Sequence, residues 1–458
     1  MRGAWLAWLG LLLFLSACGK AGSQTEDPPV TAPSPSFCAE RSTQGVPSTD
    51  SLVLYEVNLR AFSRSGDLAG LTAQLDRLDS LGVNGLWLMP IYPQGQKKSI
   101  NSPYSIRDYR AVAAEYGSLA DLRALVQAAH QRGMVVLLDW VANHTAWDHP
   151  WISEHPDWYT RDDKGQIVHP PGTSWEDVAD LNYARDSLRH AMIAALQFWL
   201  CETGIDGFRC DYADGVPFDF WQQAIDSLGN LPGSRPIMLA EGDRADHFQA
   251  GFDLIFGWHF YGVLQAVFGG DPAWRLAAEN RSAYLSVPPD GDILRFTTNH
   301  DESAWHATPP QLFGGQEGAL AAYAAMLFTG GTPLLYSSQE VGRVRTLPFF
   351  SRDPIDWQAR PQVQARYRKL LQAYRALPAL QSDENHLLPG EHVLGLRKSA
   401  GGDTVWALVN LRNSDQRLPF PSALKGRRME DLLSQDTLTL GRNLLFSPYE
   451  YRLLKSLP

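Results

Sequence analysis

The segment Gly207-Phe208-Arg209-Cys210-Asp211 places an arginine two residues before an aspartate at the end of an apolar run. If this run is a β-strand, alternate side chains face the same side, so Arg209 and Asp211 project together. A cation held close to a carboxylate lowers the carboxyl pKa and keeps the group ionised, as a nucleophile requires. We therefore interpret Asp211 as a candidate nucleophile. One such pair alone is better explained as a structural ion pair, so the other predicted strand ends must decide.

Polar residues also end other predicted strands, and carboxylates are among them. The residues at these ends are Asp139, Asn143, His144, Glu241, Asn299, His300 and Asp301. If the strand ends meet at one mouth, Asp211, Glu241 and Asp301 converge there. Two carboxyl groups that flank a glycosidic bond about 5–5.5 Å apart hydrolyse it with retention of configuration, one as nucleophile and one as acid. This is the chemistry that the pattern indicates.

The position of each further residue suggests its part in that chemistry. Glu241 follows the apolar residues 237–240, and a carboxyl group near other acids there should have a raised pKa and remain protonated as a general acid. Asp301 would hydrogen-bond sugar hydroxyls and stabilise an oxocarbenium-like transition state. His144 and His300 would donate further hydrogen bonds, although either histidine alone can be a structural residue.

The elements that would position these residues form a repeating pattern. Eight β-rich runs alternate with amphipathic stretches, which predicts a closed (β/α)8 TIM barrel whose active site lies at the carboxyl ends of its strands. Residues 119–132 are predicted as a helix, with Ser118 and Asp121 as a capping box at its start and Gly133 as its stop. The predicted strands lie near residues 52–57, 85–89, 135–139, 207–211, 237–241, 252–256, 293–298 and 334–336.

Two regions depart from this pattern. Residues 145–181 are rich in Trp, His, Pro and Asp and lack helical periodicity, so we predict an excursion from the barrel that has a functional role. From residue 381 to 458, short alternating strands with turn signals predict a C-terminal antiparallel β domain. The catalytic barrel is thus predicted to span residues 51–380.

Composition excludes some classes of partner. The chain has 458 residues, of which 44% are hydrophobic and 20% charged, which predicts a globular protein with a large core. Its formal net charge of −10 and its lack of Lys/Arg clusters argue against nucleic acid as a partner. The 15 Trp and 16 Tyr residues suit stacking on sugar rings, although most aromatic residues simply pack the core.

The N-terminus has the features of an export signal. Arg2 precedes an apolar run that ends near Leu15 and is too short to span a bilayer as a mature helix. The sequence Leu15-Ser16-Ala17-Cys18 resembles the lipobox of bacterial lipoproteins, which implies that residues 1–18 are a signal and that Cys18 is lipidated. The expected location is the bacterial cell envelope, on its periplasmic or outer side, with residues 19–50 as a flexible tether. A plain secretory signal is the alternative.

The remaining cysteines predict little cross-linking. Lipidation of Cys18 would leave Cys38, Cys201 and Cys210, an odd number for an oxidising compartment. A disulfide framework is therefore not expected. Cys201 and Cys210 could meet between helix and strand, but buried free thiols are the default interpretation.

Four motifs, in order, identify a family. They are DWVANH at residues 139–144, GFRCD at 207–211, MLAEG around Glu241 and FTTNHD at 296–301. YEVNLRAFS from Tyr55, SPYSIRDY from Ser102 and PLLYSSQEVG from Pro333 add to them. Over residues 52–458 the chain resembles the α-amylase family of glycoside hydrolases, family thirteen.

The resemblance implies a role for each matching residue. Asp211 would be the nucleophile, Glu241 the acid/base and Asp301 the transition-state stabiliser. Tyr104 would stack on the sugar at the cleavage point, as an aromatic face does on a pyranose, unless it is a core residue. The other residues expected to support that sugar are Asp139, His144, Arg209 and His300. Residues 145–181 correspond to the family's domain B, and the C-terminal β region corresponds to its domain C.

The resemblance also shows a departure and a metal prediction. The family typically carries Lys-His where this chain has Asp214 and Gly215; that lysine contacts sugars beyond the cleavage point, and that histidine supplies a carbonyl to a calcium site. Asn143 and Asp180 match other calcium-ligand positions, and oxygen ligands suit Ca²⁺. Calcium is the one predicted cofactor, with no organic cofactor, and Asn143 can equally cap a loop.

These residues predict a retaining hydrolase of α-1,4-linked glucans, with an α-glucan as its partner and a lipid anchor to the membrane. Within the same family, an α-glucosidase, a cyclomaltodextrinase-like hydrolase or a glucanotransferase is an alternative. A rival from another class is a non-catalytic glycan-binding lipoprotein that keeps the barrel as a scaffold.

Overall fold

The computed structural model describes Cys38 and residues 49–457. The predicted signal at residues 1–18, the lipidation site Cys18 and nearly all of the predicted tether at residues 19–50 lie outside the described residues and stay predictions. Within residues 49–457, no helix is both long and apolar enough to cross a membrane.

Most β-strands are short, and we number them in chain order. They are β1 (Leu54–Val57), β2 (Gly85–Leu88), β3 (Val135–Val141), β4 (His144–Ala146), β5 (Val178–Asp180), β6 (Gly207–Asp211), β7 (Ile237–Ala240), β8 (Leu254–Phe256), β9 (Asp292–Arg295), β10 (Thr332–Tyr336), β11 (His386–Leu387), β12 (Val393–Ala400), β13 (Asp403–Asn410), β14 (Gln416–Pro419), β15 (Arg428–Asp431), β16 (Thr437–Thr439), β17 (Asn443–Phe446) and β18 (Tyr451–Ser456).

A closed barrel forms from eight of these strands in the order β1-β10-β9-β8-β7-β6-β3-β2. All of its neighbouring pairs are parallel, so every strand delivers its carboxyl end to the same mouth. The prediction of a (β/α)8 barrel is confirmed, with each predicted strand found within a few residues of its expected position. Parallel strands covered on both faces are buried throughout, as β3 is along its whole length, including Asp139.

The helices alternate with the barrel strands and cover them. They are α1 (Leu59–Phe62), α2 (Leu68–Thr72), α3 (Leu75–Leu81), α4 (Leu119–His130), α5 (Trp151–Glu154), α6 (Asp186–Thr203), α7 (Phe218–Gly229), α8 (Asp246–Ala250), α9 (Trp258–Phe268), α10 (Trp274–Ala283), α11 (Pro309–Leu312), α12 (Gly315–Thr329), α13 (Pro361–Ala376) and α14 (Pro378–Gln381). Helix α4 begins with the predicted capping box of Ser118 and Asp121.

The excursion after β3 returns on itself through a small sheet. Strand β4 pairs antiparallel with β5, with His144 opposite Asp180. The short helix α5 and a 3-10 helix, Pro156–Trp158, lie between them. This pairing brings the start and the end of the excursion together beside the barrel mouth. The excursion can therefore contribute side chains to that mouth.

The C-terminal region is an antiparallel β domain, as predicted. Six strands form one sheet in the order β11-β12-β13-β18-β15-β16, and β14 pairs with β17. A hydrophobic cluster separate from the barrel core holds this region together, with Trp406, Leu408 and Met429 among its buried members. The fold class predicted from the sequence is thus confirmed in both parts.

The cysteine prediction is wrong for Cys201 and confirmed for Cys210. Cys38 forms a disulfide with Cys201, across a sequence separation of 163, and Cys210 is a buried free thiol. Cys201 lies in the last turn of α6, at the end of the barrel where β6 begins, whereas Cys210 lies near the other end of β6. Because a helix of a β/α barrel runs antiparallel to the strand that follows it, these two cysteines lie at opposite ends of the barrel. The segment predicted as a tether supplies the partner instead.

Removing the disulfide tests its contribution. Cys201→Ala should lower the free energy of unfolding by about 3 kcal/mol, because the unfolded chain regains the freedom that the cross-link removes. Guanidinium denaturation followed by tryptophan fluorescence measures this, and a reductant should shift the wild-type midpoint by a similar amount. Since Cys201→Ala has no disulfide left to break, its own midpoint should not respond to the reductant. A wild-type midpoint that ignores the reductant would contradict the pairing.

Candidate active site

Strand β6 can approach its neighbour closely because it begins with a glycine. A Cβ on Gly207 would lie 1.9 Å from the carbonyl oxygen of Ile237 on β7, so any side chain there would push the two strands apart. The close pairing sets Arg209 opposite Leu239 and directs the guanidinium into the barrel, where it is fully buried. Its Cζ lies 4.9 Å from the centre of the Trp87 ring.

The Arg209 guanidinium joins three carboxylates. Its Nη1 donates to Asp139 Oδ1 at 2.8 Å and to Asp211 Oδ1 at 2.9 Å, and its Nη2 forms an ion pair with Glu241 Oε1 at 2.8 Å. Glu241 also accepts a hydrogen bond from the backbone N–H of Tyr212 at 2.7 Å. The arrangement fixes the two candidate reacting carboxyl groups, Asp211 and Glu241, against one cation.

Asp139 lies beneath this group and connects it to Tyr104. Its Oδ2 accepts hydrogen bonds from Trp87 Nε1 at 2.9 Å and from the Tyr104 hydroxyl at 3.0 Å. The Tyr104 hydroxyl in turn contacts His300 Nε2 at 2.8 Å, and the two rings are near parallel with centroids 5.3 Å apart. Predicted residues from four separate segments of the chain therefore meet at one point.

His300 is held as a cation between two carboxylates. Its Nδ1 contacts Glu56 Oε1 at 2.5 Å, and its Nε2 lies 3.4 Å from Asp301 Oδ2. Burial alone would lower the pKa of His300, but Asp301 and Glu56 outweigh it and raise that pKa to about 9. A π-helical turn, Glu302–His306, begins directly after Asp301, and such turns are frequent at functional sites.

His144 has the opposite electrostatic character. It is buried at the start of β4, and burial lowers its pKa to about 4. Its Nδ1 lies 3.3 Å from Asn143 Nδ2, and its ring centroid is 5.7 Å from that of Trp175. His144 is thus a neutral imidazole that can donate to, or accept from, a hydroxyl group, as the prediction for it requires.

The electrostatic expectation for Asp211 is wrong. Burial raises the pKa of Asp211 well above its ordinary value and outweighs the neighbouring Arg209, while the charge of Glu241 raises it further. Burial also raises the pKa of Glu241, as expected, and Asp301 adds to this effect while Arg209 opposes it. Both carboxyl groups therefore hold a proton more tightly than isolated carboxyl groups do.

A cleft of about 690 Å³ opens over these residues. Sequence reasoning missed most of its apolar lining and also missed Glu56, whose only signal was its place in the YEVNLRAFS motif. Such a cleft, mostly apolar with a few polar groups directed inwards, is typical of ligand sites. The lining residues outside the predicted set include Ile100, Trp175, Tyr212, Trp258, Trp305, Phe349 and Phe350.

The departure at Asp214 and Gly215 has a local structural reason. Tyr212 adopts a left-handed backbone with φ of 41°, and a Cβ on Gly215 would lie 2.2 Å from its ring, so a histidine cannot replace Gly215 without moving Tyr212. Asp214 lines the cleft and lies 2.6 Å from Nε2 of the buried His247. A carboxylate thus occupies the cleft position where the family typically places a lysine.

The predicted calcium ligands lie on one small cavity. Asn143 and Asp180 line it together with Asn182 and Gly215, in a volume of about 290 Å³. These residues offer oxygen donors, which fit Ca²⁺ chemically, but Asp180 is the one carboxylate among them. Within residues 49–457, no three His, Cys, Asp or Glu side chains are grouped to hold a metal. The calcium site stays a prediction.

The raised pKa of His300 predicts a pH dependence. Because the folded-state pKa is raised from 6.5 to about 9, the stability contributed by protonated His300 is complete below pH 6.5 and is lost as the pH rises through about 9. Glu56→Gln should lower this pKa, since it removes one of the two carboxylates that face the imidazole. NMR titration of the histidine imidazole signals measures this, with His300→Gln for assignment and His144 as an internal control. The same His300 midpoint in the wild type and in Glu56→Gln would contradict the assignment.

Comparison with known proteins agrees with this geometry. A model of the α-amylase catalytic domain matches residues 40–235, a span that includes Asp139, Arg209 and Asp211 and ends before Glu241. The α-amylase MalA of Haloarcula japonica is 30% identical over 398 residues, and the match covers 82% of this chain and 57% of MalA. This chain therefore spans little more than half the length of that relative.

Solved structures match over nearly their whole length. An α-amylase from Lactobacillus plantarum is 29% identical with a TM-score of 0.79, and the match covers 90% of this chain and 99% of that one. A noncanonic maltogenic α-amylase, AmyB from Thermotoga neapolitana, is 25% identical with a TM-score of 0.80, covering 89% and 99%. With the motifs, the barrel and these matches taken together, the chain belongs to the α-amylase family of glycoside hydrolases, family thirteen.

Proposed function

We propose that this protein hydrolyses α-1,4-glucosidic bonds of α-glucans with retention of configuration. The observation that carries the proposal is the contact of one buried guanidinium, Arg209, with both Asp211 and Glu241 at the floor of an apolar cleft. A pair of carboxyl groups in one site can act as an acid and a nucleophile. The aromatic side chains that line the cleft can stack on the apolar faces of sugar rings, and these sugars are uncharged.

The first step breaks the glycosidic bond. Glu241 gives its proton to the glycosidic oxygen while a carboxylate oxygen of Asp211 attacks the anomeric carbon, so the leaving sugar departs as an alcohol and a glucosyl ester forms on Asp211. Arg209 contacts Asp211 and Glu241 alike, so this cation does not decide which of them holds the proton. We assign the proton to Glu241 and the ionised form to Asp211 from the positions of the two residues in the family's motifs.

The second step releases the sugar. Glu241, now ionised, takes a proton from a water molecule, whose oxygen attacks the anomeric carbon and displaces Asp211. Two displacements at the same carbon leave its configuration unchanged. Both residues return to their starting protonation states.

The surrounding residues stabilise the charge that develops on the sugar ring. Asp301, held beside His300, would accept hydrogen bonds from ring hydroxyls and oppose the positive charge of the oxocarbenium-like transition state. Protonated His300 and neutral His144 would donate hydrogen bonds to other hydroxyls. Tyr104, fixed by Asp139 and His300, would present its ring to the sugar face.

Substitutions at the two carboxyl groups separate their roles. Asp211→Asn should lower kcat at least about 10⁴-fold on every α-glucoside, because no nucleophile remains. Glu241→Gln should lose a similar factor on maltooligosaccharides but keep most of its kcat/KM on α-glucosyl fluoride, whose leaving group needs no proton. Its kcat on the fluoride should fall, because Glu241 also activates the water of the second step. Steady-state kinetics on both substrates, with circular dichroism as a check of folding, measures this. Wild-type-like activity of Asp211→Asn would remove Asp211 from the nucleophile role.

We also propose that Asn143 and Asp180 bind Ca²⁺ weakly. Their oxygen atoms would supply two of the six to eight ligands that Ca²⁺ takes, and carbonyl groups and water would supply the rest. Few charged ligands give low affinity, so binding should need a high calcium concentration. No step of the proposed reaction depends on the ion.

Thermal unfolding tests the calcium proposal. An excess of calcium chloride over EGTA should raise the Tm, because an ion that binds only the folded state stabilises it. Asp180→Asn should reduce this rise, whereas Asp177→Asn, which changes a nearby carboxylate that lines the substrate cleft, should leave it intact. An equal Tm in calcium and in EGTA would remove the site.

We propose further that the protein is exported and held in the bacterial cell envelope through Cys18. The N-terminal sequence and its lipobox-like end support this proposal. The Cys38–Cys201 disulfide supports it too, because structural disulfides persist mainly in oxidising compartments.

A further inference from the structure

Two loops meet across one side of the cleft. The segment after β2, residues 89–118, and the segment after β10, residues 337–360, are joined where Asn101 Nδ2 donates a hydrogen bond to the carbonyl oxygen of Phe350. Arg60, on α1 directly after β1, donates to the carbonyl oxygen of Asn101 at 2.9 Å from beneath. We call the Asn101–Phe350 contact and the Arg60 that supports it the loop bridge.

The segment after β10 is firmly held over β1. The Ile355 N–H donates to the Ala61 carbonyl at 2.8 Å, and Trp357 Nε1 donates to the Phe62 carbonyl at 2.8 Å. Arg352 Nη2 donates to the Arg64 carbonyl at 2.8 Å. Because these bonds fix the segment to the chain that follows β1, the loop bridge is a fixed part of the cleft and not a chance contact of two loops.

An aromatic wall faces the cleft at this bridge, formed by Trp305, Phe349 and Phe350. The Phe349 ring lies near parallel to that of Tyr104, with centroids 5.8 Å apart, and its centroid is also 5.8 Å from that of His300. Trp305, of which 57% is exposed, contacts both phenylalanines. The wall therefore directly adjoins the residues assigned to the sugar at the cleavage point.

The barrel order shows which end of a substrate would meet the wall. In the closed order β1-β10-β9-β8-β7-β6-β3-β2, strand β7 lies four strands from β1 in either direction. Glu241, which follows β7, is thus diametrically opposite the loop bridge above β1. Since the leaving sugar departs on the side of the acid, the other part of the substrate, which ends in the non-reducing terminus, extends towards the bridge.

We propose that the loop bridge and the aromatic wall close the cleft at its non-reducing end, so that the enzyme attacks α-glucan chains from that terminus and releases glucose or maltose. This inference rests on the proposed function and names its mode of action. A long chain cannot continue past the wall, whereas its terminal unit can stack against Phe349 and Trp305.

A blocked terminus tests the proposal. We would compare two aryl maltoheptaosides that differ only in a 4,6-O-acetal on the non-reducing terminal unit, with the full-length protein and chromatographic detection of all products. The open substrate should yield glucose or maltose first. The capped substrate should react at least about 100-fold more slowly, because the acetal clashes with the wall and displaces the reacting bond. Equal rates on the two substrates, or early products of intermediate length, would overturn the proposal.

Controls distinguish this result from failure of the proposed function. An endo-acting α-amylase must cleave both substrates, which shows that the cap itself does not prevent hydrolysis. If this protein cleaves neither substrate and also leaves α-glucosyl fluoride intact, the proposed function fails, and the inference fails with it. If it cleaves α-glucosyl fluoride and cleaves both oligosaccharides equally, only the closed cleft is wrong.

A matched pair of variants assigns the effect to the loop bridge. Asn101 and Lys98 lie on the same loop and both have positive φ, 65° and 57°, so glycine fits either position without backbone strain. Asn101→Gly removes the side-chain contacts with Phe350 and with Arg60 and should raise the capped-to-open rate ratio at least about tenfold, since the loops can then part. Lys98→Gly removes only a contact with the Trp147 ring and should leave the ratio unchanged. The same ratio in both variants and the wild type would overturn the role of the bridge.

Discussion

The buried guanidinium of Arg209 is the interaction on which the site depends. It contacts Asp139, Asp211 and Glu241 within 2.9 Å, in surroundings where an unpaired carboxylate would be strongly unfavourable. One cation cannot neutralise three anions, and so the pKa values of Asp211 and Glu241 remain raised by burial. The excess of carboxyl groups over cations thus makes both groups hold a proton more tightly than an exposed carboxyl group would.

The barrel makes this arrangement possible, and the loops after its strands make the two sides of the cleft different. Parallel strands bring Asp139, Arg209 and Glu241 to one mouth from three different parts of the chain. Because neighbouring strands lie close together, the side chains at their ends must contact one another. The loops after the strands are free to differ, since they contribute little to the barrel core. On one side they carry Asp214 next to Glu241, and on the other they form the wall that contains Phe349.

Local sequence patterns were sufficient to predict the strands and the residues that meet at their ends. Strand alternation predicted that Arg209 and Asp211 share a face, and the strand ends predicted which residues meet at the mouth. Contacts between distant positions left no such pattern: the partner of His300, Glu56, is 244 residues away, and Cys38 and Cys201 are 163 apart. The pKa of Asp211 was predicted with the wrong sign because burial is a property of the whole barrel, not of its arginine neighbour.

The anomeric configuration of the first product shows whether Asp211 acts as the nucleophile. Proton NMR can follow the hydrolysis of maltoheptaose by the chain without residues 1–18 before mutarotation mixes the anomers. The new reducing end should appear first as the α-anomer, because Asp211 and Glu241 act in two successive displacements. A β-anomer as the first product would mean a single displacement by water, and Asp211 would then not be the nucleophile.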